Sequence, residues 1–314
     1  MSCQINFLWQ DHSAYDNTTA QEVAKINPDK FIINVDGPGS DSSNPQCGPN
    51  VTQLVNFVKE LVSNGFTGKL VMHPDATKGD YDHDWNGKGK LPKRSDQDAW
   101  MNYCDYFVEM NAALKHNKLP LFKEILIETE SSYIPRTADS FNAITKYLRD
   151  AGQIACVSTT GDWNVDRKNL AVNCVYPQLY DMAYVSNLLR GENVPSISRA
   201  KAVAKGMVNI IKEKPAMLND PNVYFTFSYA GDDTDAPVFG ASGRVWNKNL
   251  FDTFVDDFKQ NLSEYSSTDI NTGVWHCSAA LNAWKFSPFF SKHKKKIISG
   301  IILLGILLAL LLNN

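Results

Sequence analysis

The chain has 314 residues, of which 43% are hydrophobic, and its formal net charge is -3. This length suits one large domain, since (β/α)8 barrels of about 250 residues commonly fold as a single unit. The small negative charge provides no global basic field to neutralise phosphates, and we therefore expect no nucleic-acid partner.

Short runs rich in β-branched and apolar residues alternate with helical stretches along the chain. Apolar residues at helical spacing, such as Leu54, Val58 and Leu61, predict amphipathic helices between these runs. Valine-rich, isoleucine-rich and leucine-rich strands that are each followed by a helix predict a parallel sheet covered on both sides. The predicted strands are Ile5–Gln10, Phe31–Val35, Lys69–His73, Glu124–Glu130, Ile154–Thr159, Cys174–Tyr180, Val223–Tyr229 and Gly273–Cys277.

Eight such βα units predict an α/β fold of the (β/α)8 TIM-barrel type rather than an open doubly wound sheet. The first strand is followed by neither the glycine-rich dinucleotide motif nor the P-loop motif, so the glycine cradle for a nucleotide phosphate is missing. We assign residues 1–285 to the barrel domain.

The C-terminal part of the chain predicts a membrane anchor. Residues 286–296 form a basic linker, and the run Ile297–Leu312 that follows is apolar on every face. A lysine cluster directly before such a run is typical of a single-pass tail anchor that lies in a lipid bilayer, although a buried terminal helix is the alternative. The positive-inside rule then places the barrel domain on the cytosolic side.

The six cysteines include no pair at C-x-x-C spacing, which argues against a zinc motif or a redox motif. Cys156 and Cys174 lie in apolar, strand-like runs. We expect both to be buried thiols that serve as small apolar side chains.

Carboxylates and aromatic residues dominate the ends of the predicted strands, where ligands of a TIM barrel bind. Aromatic faces stack on sugar rings, and carboxylates bind hydroxyl groups and transfer protons. In the fourth strand, period-two alternation places Glu128 and Glu130 on one face, where each carboxylate shifts the pKa of the other. One of them is then suited to act as a general acid, the alternative being an ion-paired or solvated strand end.

Three short motifs resemble glycoside hydrolase family 18, the chitinases and endo-N-acetylglucosaminidases. They are the E-x-E of Glu128 and Glu130 on the fourth strand, the segment Tyr176–Asp181 on the sixth, and Gly273-Val-Trp275 on the eighth. In the family, the corresponding motifs also lie on the fourth, sixth and eighth strands. The resemblance implies hydrolysis of glycans that contain N-acetylglucosamine.

The resemblance also implies the roles of individual residues. Glu130 matches the catalytic acid, Glu128 the residue that orients the N-acetyl group, and Tyr180 the residue that binds it. Trp275 matches the sugar platform, and Gln178 a position where glutamine is common. The family's reaction is substrate-assisted and requires no metal and no cofactor. The other strand-end residues expected to bind substrate are Trp163, Asp181 and Tyr229.

Two other functions remain open. Lys123 and Leu126 replace the two earlier aspartates of the family motif, which favours a non-catalytic, membrane-anchored carbohydrate-binding protein. Histidines and aspartates at the early strand ends would instead suit a barrel-type phosphodiesterase, because histidine serves as acid and base in phosphodiester cleavage and carboxylates hold divalent cations. These residues are His12, Asp36, His73 and Asp75.

Overall fold

The computed structural model describes most of the strands, several of the helices and the turns next to them. The described residues are 5–10, 15–36, 51–75, 108, 110–128, 142, 145–146, 148–150, 152–160, 171–179, 196–229, 246–275 and 277–285.

Eight parallel strands form a closed barrel in which spatial order follows chain order. The last strand pairs with the first, Phe7 standing opposite Gly273 and Trp9 opposite Trp275. The closed eight-stranded barrel expected from the sequence is therefore confirmed. The strands are β1 (Phe7–Trp9), β2 (Lys30–Asp36), β3 (Lys69–Asp75), β4 (Glu124–Glu128), β5 (Ile154–Thr160), β6 (Cys174–Gln178), β7 (Tyr224–Ser228) and β8 (Asn271–Trp275).

Helices cover the outside of this barrel, and polar side chains cap several of their N-termini. Asp16 accepts a hydrogen bond from the backbone of Thr19 at 2.7 Å, and Ser196 and Asn247 cap two later helices in the same way. Each cap satisfies a backbone N–H that has no partner within its helix. The named helices are α1 (Asn17–Ile26), α2 (Val51–Ser63), α3 (Ile197–Ile211), α4 (Pro215–Leu218), α5 (Lys248–Leu262) and α6 (Cys277–Lys285).

Alternate strand residues divide into two cores, as the period of two in a strand requires. The larger core joins the strands to the helices. The smaller core fills the barrel interior and includes Phe7, Trp9, Tyr176 and Leu126. A residue that lies two positions before or after an interior residue of the same strand therefore also faces the interior.

A glycine permits the barrel to close around an aromatic ring. A Cβ atom on Gly273 would lie 2.4 Å from both the ring and the backbone oxygen of Phe7, which stands opposite it on β1. No side chain tolerates an approach this close, so the residue on β8 must be glycine if the Phe7 ring is to lie inside.

Cys156 and Cys174 are buried as expected, but the expectation of two separate thiols is wrong. The structure joins them by a disulfide, with Cα atoms 4.6 Å apart. The register explains the pairing, because the two residues stand directly opposite each other on β5 and β6 and face the interior together.

In the part of the chain that the structure describes, no helix combines the length and the apolar character needed to cross a bilayer. The basic linker at 286–296 and the tail anchor predicted at 297–312 lie outside the described residues.

Candidate functional site

The C-terminal half of the barrel interior is polar. Its residues lie two positions beyond interior residues of the same strands, so that period-two alternation turns them inward. All of them are at most 3% exposed: Asn34 on β2, His73 on β3, Ser158 on β5, Gln178 on β6, and Thr226 and Ser228 on β7. Polar groups buried this deeply usually serve a ligand or a hydrogen-bond network.

Asn34 and Trp9 both contact His73 inside the barrel. Its Nδ1 atom lies 3.1 Å from Oδ1 of Asn34, and its ring meets the indole of Trp9 edge-on at a centroid distance of 4.7 Å. Asn34 and His73 stand directly opposite each other on β2 and β3, so this contact orients the imidazole across the strand pair. His73 is 3% exposed and therefore lies deep in the barrel interior.

Trp275 ends β8 and presents an aromatic surface at the C-terminal end of the barrel. It stands opposite Trp9 on β1 and Ser228 on β7, and its ring lies 6.5 Å from that of Trp9 between centroids. Trp275 is partly exposed, whereas Trp9 is only 1% exposed. Trp275 thus has the accessible aromatic surface that a sugar ring would contact.

Gln178 lies two residues beyond Tyr176, whose ring is part of the interior core. Its neighbours in the register are Thr160 on β5 and Thr226 on β7. A buried side-chain amide offers both donors and an acceptor, which is the chemistry needed to bind a sugar hydroxyl or acetamido group.

The ends of β4, β6 and β8 meet at one end of the barrel because all the strands are parallel. β4 ends at Glu128, which pairs with Ser158 through the backbone. Gln178 and Trp275 end β6 and β8. Other residues predicted for the site lie outside the described residues: Glu130, Tyr180, Asp181, Trp163 and also His12.

Tyr229 lies on the helix side of the strands, away from the interior. It follows Ser228, so alternation turns it outward, and it is completely buried. Its hydroxyl donates to the backbone oxygen of Trp246 at 2.7 Å and accepts from Nε1 of Trp284 at 3.2 Å. Burial raises the pKa of Tyr229 far above its usual value, which keeps the hydroxyl protonated. The structure gives Tyr229 a packing function there.

Sequence reasoning missed several interior residues of the strands. Trp9, Asn34, Ser158, Thr226 and Ser228 were not predicted for the site, although each lies within a predicted strand. The available signal was the alternation of side chains within each strand, counted forward from an interior residue such as Ile32 or Cys156.

No protein-family model matches the chain, and no curated protein matches it by sequence. Similar solved structures include the xylanase and α-amylase inhibitor protein XAIP-II from Scadoxus multiflorus, with a TM-score of 0.52 and 13% identity over 90% of this chain and 96% of that one. The likeness is one of fold.

Two further structures extend this comparison. The chitinase ICChI from Ipomoea carnea has a TM-score of 0.49 and 12% identity over 88% of this chain and 96% of that one. A GH113 β-1,4-mannanase has a TM-score of 0.47 and 11% identity over 88% of this chain and 89% of that one.

Proposed function

We propose that the chain is a divergent glycoside hydrolase, similar to family 18, that acts on glycans containing N-acetylglucosamine. The proposal rests on one observation. The ends of β4, β6 and β8 lie at the same end of the barrel, around a polar interior that is bordered by Trp275. These are the three strand ends whose sequence motifs resemble the family.

In the proposed reaction, the sugar ring stacks on Trp275 and its acetamido oxygen attacks the anomeric carbon. Glu130 protonates the leaving oxygen, while Glu128 and Tyr180 hold the acetamido group in position. Gln178 supplies hydrogen bonds from the buried floor of the site, where it is 1% exposed. Trp163 and Asp181 complete the substrate contacts. Because the substrate itself provides the nucleophile, this mechanism requires neither a metal ion nor a cofactor.

A second candidate is a carbohydrate-binding protein that lacks catalysis. Leu126, which replaces an aspartate of the family motif, is fully buried in the interior core with Trp9, Ile32 and Val71. An aspartate at this position would lie among apolar side chains, and Lys123 replaces the other aspartate. The aromatic contact with Trp275 needs neither carboxylate, so sugar binding would survive this change.

For the location of the protein, we propose that residues 297–312 anchor it in a membrane with the barrel on the cytosolic side. The apolar run and the preceding lysines support this proposal. Alkaline carbonate extraction of membranes tests it: the full chain should stay with the membranes, and a variant that lacks 297–312 should be released. Release of the full chain would contradict the anchor.

A panel of matched oligosaccharides tests the activity. The full chain in detergent is incubated with N-acetylglucosamine oligomers, with the same oligomers lacking the acetyl groups, and with manno-oligosaccharides of equal length. We expect cleavage of the acetylated oligomers alone, since only these supply the acetamido nucleophile. Equal cleavage with and without acetyl groups would contradict the mechanism, and binding without cleavage would favour the second candidate.

A further inference from the structure

A second group of polar side chains lies in the opposite, N-terminal half of the barrel interior. The carboxylate atom Oε2 of Glu124 is 3.9 Å from Sγ of Cys156 and 4.0 Å from Sγ of Cys174. All three side chains are buried, with at most 4% of each residue exposed. The reaction proposed above uses none of them.

The fold brings these residues together from three neighbouring strands. Glu124 and Cys174 begin β4 and β6, and Cys156 lies on β5 between them. Cys156 stands directly opposite Cys174. The carboxylate oxygen and both sulfur atoms lie within 4.8 Å of one another.

We propose that, when the disulfide is reduced, Glu124, Cys156 and Cys174 form a binding site for a thiophilic divalent cation of the zinc class. Two thiolates and one carboxylate are a ligand set that zinc prefers, at about 2.3 Å from sulfur and about 2.0 Å from oxygen. Each sulfur and the carboxylate oxygen then need to approach by only a few tenths of an ångström, while the two sulfurs, released from the disulfide, move apart to about 3.8 Å. Three protein ligands leave the fourth tetrahedral position to a small molecule such as water.

The charges of the cluster balance when the cation is bound. Nζ of Lys30 lies 2.6 Å from the Glu124 carboxylate and 4.0 Å from the centre of the Tyr224 ring. Tyr176 lies beside the cluster, and its hydroxyl accepts a hydrogen bond from Lys30 at 3.3 Å. One divalent cation and the Lys30 ammonium together neutralise two thiolates and one carboxylate. A buried site requires such neutrality, because an uncompensated charge inside a protein is costly.

Two chemical steps lead from the disulfide to the occupied site. A small-molecule dithiol reductant first converts the disulfide to two thiols and is itself oxidised to a disulfide. The cation then displaces one proton from each thiol, so that binding releases two protons and strengthens as the pH rises. A cytosolic location, as proposed for the barrel, would keep the cysteines reduced.

Cobalt(II) provides the direct test, since thiolate ligation gives it strong near-ultraviolet charge-transfer absorption and tetrahedral geometry gives it visible bands. The full chain is reduced, freed of metal and titrated with cobalt, both directly and during refolding because the site is buried. We expect a single equivalent to bind with both spectroscopic features. Zinc should then displace the cobalt and abolish the bands.

Matched variants identify the ligands. Replacing both Cys156 and Cys174 by serine should abolish the charge-transfer band, and Glu124→Gln should weaken cobalt binding at least tenfold. Cys277→Ser is the control, because Cys277 is also buried but begins α6, outside the cluster. It should leave the titration unchanged.

Titration of the oxidised, unmutated chain is a second comparison that does not depend on the folding of the serine variant. The oxidised chain should bind no cobalt, and reduction should restore binding. The proposal is overturned if the reduced, folded chain shows no thiolate-to-cobalt band, or if the band survives replacement of both cysteines. The first of these results would leave Cys156 and Cys174 as a structural disulfide only.

Discussion

Trp9 lies against Trp275 where the first and last strands of the barrel meet, with ring centroids 6.5 Å apart and ring planes inclined at 58°. The two residues are direct partners in the register of β1 and β8. Trp9 is buried and also contacts His73, so it links Trp275 to the polar interior. Trp9 therefore supports the ring that Trp275 presents at the proposed sugar-binding end.

Replacing Trp275 by alanine should weaken oligosaccharide binding. Aromatic stacking contributes about 0.5–1.5 kcal/mol beyond the area buried, and about 1.4 kcal/mol corresponds to a tenfold change in affinity. We expect the dissociation constant for N-acetylglucosamine oligomers, measured by calorimetry, to rise about tenfold. Tyr265→Ala is the control, since Tyr265 is 47% exposed and lies in the turn before β8, at the other end of the barrel. Equal effects of the two substitutions would contradict the predicted platform.

Replacing Tyr229 by phenylalanine should lower stability and leave sugar binding unchanged. The substitution removes the hydroxyl that bonds to Trp246 and Trp284. Leaving buried partners unsatisfied costs about 1–3 kcal/mol. Urea unfolding should show this decrease, while calorimetry shows an unaltered dissociation constant. A large loss of affinity in a folded variant would instead place Tyr229 in contact with the ligand.

Replacing Gly273 by alanine should destabilise the barrel strongly. The added methyl group would overlap both the ring and the backbone oxygen of Phe7, and backbone cannot move aside as a flexible side chain does. Overpacking of this kind typically costs about 1–3 kcal/mol, and we expect the upper part of that range. Urea unfolding measures the change.

Gly65→Ala is the matched control for this substitution. Gly65 has a φ of +93° but no atom within 4 Å of the added methyl group. Gly65→Ala should therefore lower the free energy of unfolding only by the strain of the left-handed backbone, about 1–2 kcal/mol. If Gly65→Ala proved the more damaging change, close contact at Gly273 would not be what limits closure of the barrel.

Asp252 should make stability depend on pH in the acidic range. Burial raises the pKa of Asp252, and the Lys248 ammonium, 2.7 Å from its carboxylate, opposes this shift. The folded state then holds the proton more tightly than the unfolded state. The stability that this group contributes is present below the unfolded pKa and is lost as the pH rises through the higher folded pKa.

Comparing Asp252→Asn with the parent chain isolates this effect. The difference in unfolding free energy, variant minus parent, should increase from acidic to neutral pH because asparagine does not ionise. Asp150→Asn, at an exposed position, serves as the control for the loss of one carboxylate. A difference for Asp252→Asn that stayed constant or decreased with pH would contradict the direction of the pKa shift.

The strands were predictable from the sequence because local signals specify them. Runs of β-branched residues such as Ile154–Thr159 coincide with β5 to within one residue. Helical stripes such as that of Leu54, Val58 and Leu61 became the buried face of α2. Local propensity and periodicity operate over a few residues, and the sequence displays them directly.

Contacts inside the barrel were not predictable in the same way, because they depend on the register between strands. Lys30 and Glu124 are 94 positions apart in the chain and meet only when the barrel closes. The pairing of Cys156 with Cys174 depends on which residues of β5 and β6 stand opposite each other. Tyr229 directly follows β7, and its outward turn continues the alternation of that strand. Counting from Phe227, which also packs against the helices, would have predicted it.

The rate of hydrolysis of N-acetylglucosamine oligomers by the Glu130→Gln variant tests the proposed function most directly. The amide keeps the shape of the side chain but cannot donate the required proton, so general acid catalysis is lost. Glu264→Gln, at an exposed position after α5, is the matched control. We predict cleavage by the parent chain and by Glu264→Gln, and a decrease of about 100-fold or more in Glu130→Gln. Cleavage by Glu130→Gln at the parent rate would contradict the proposed catalytic acid.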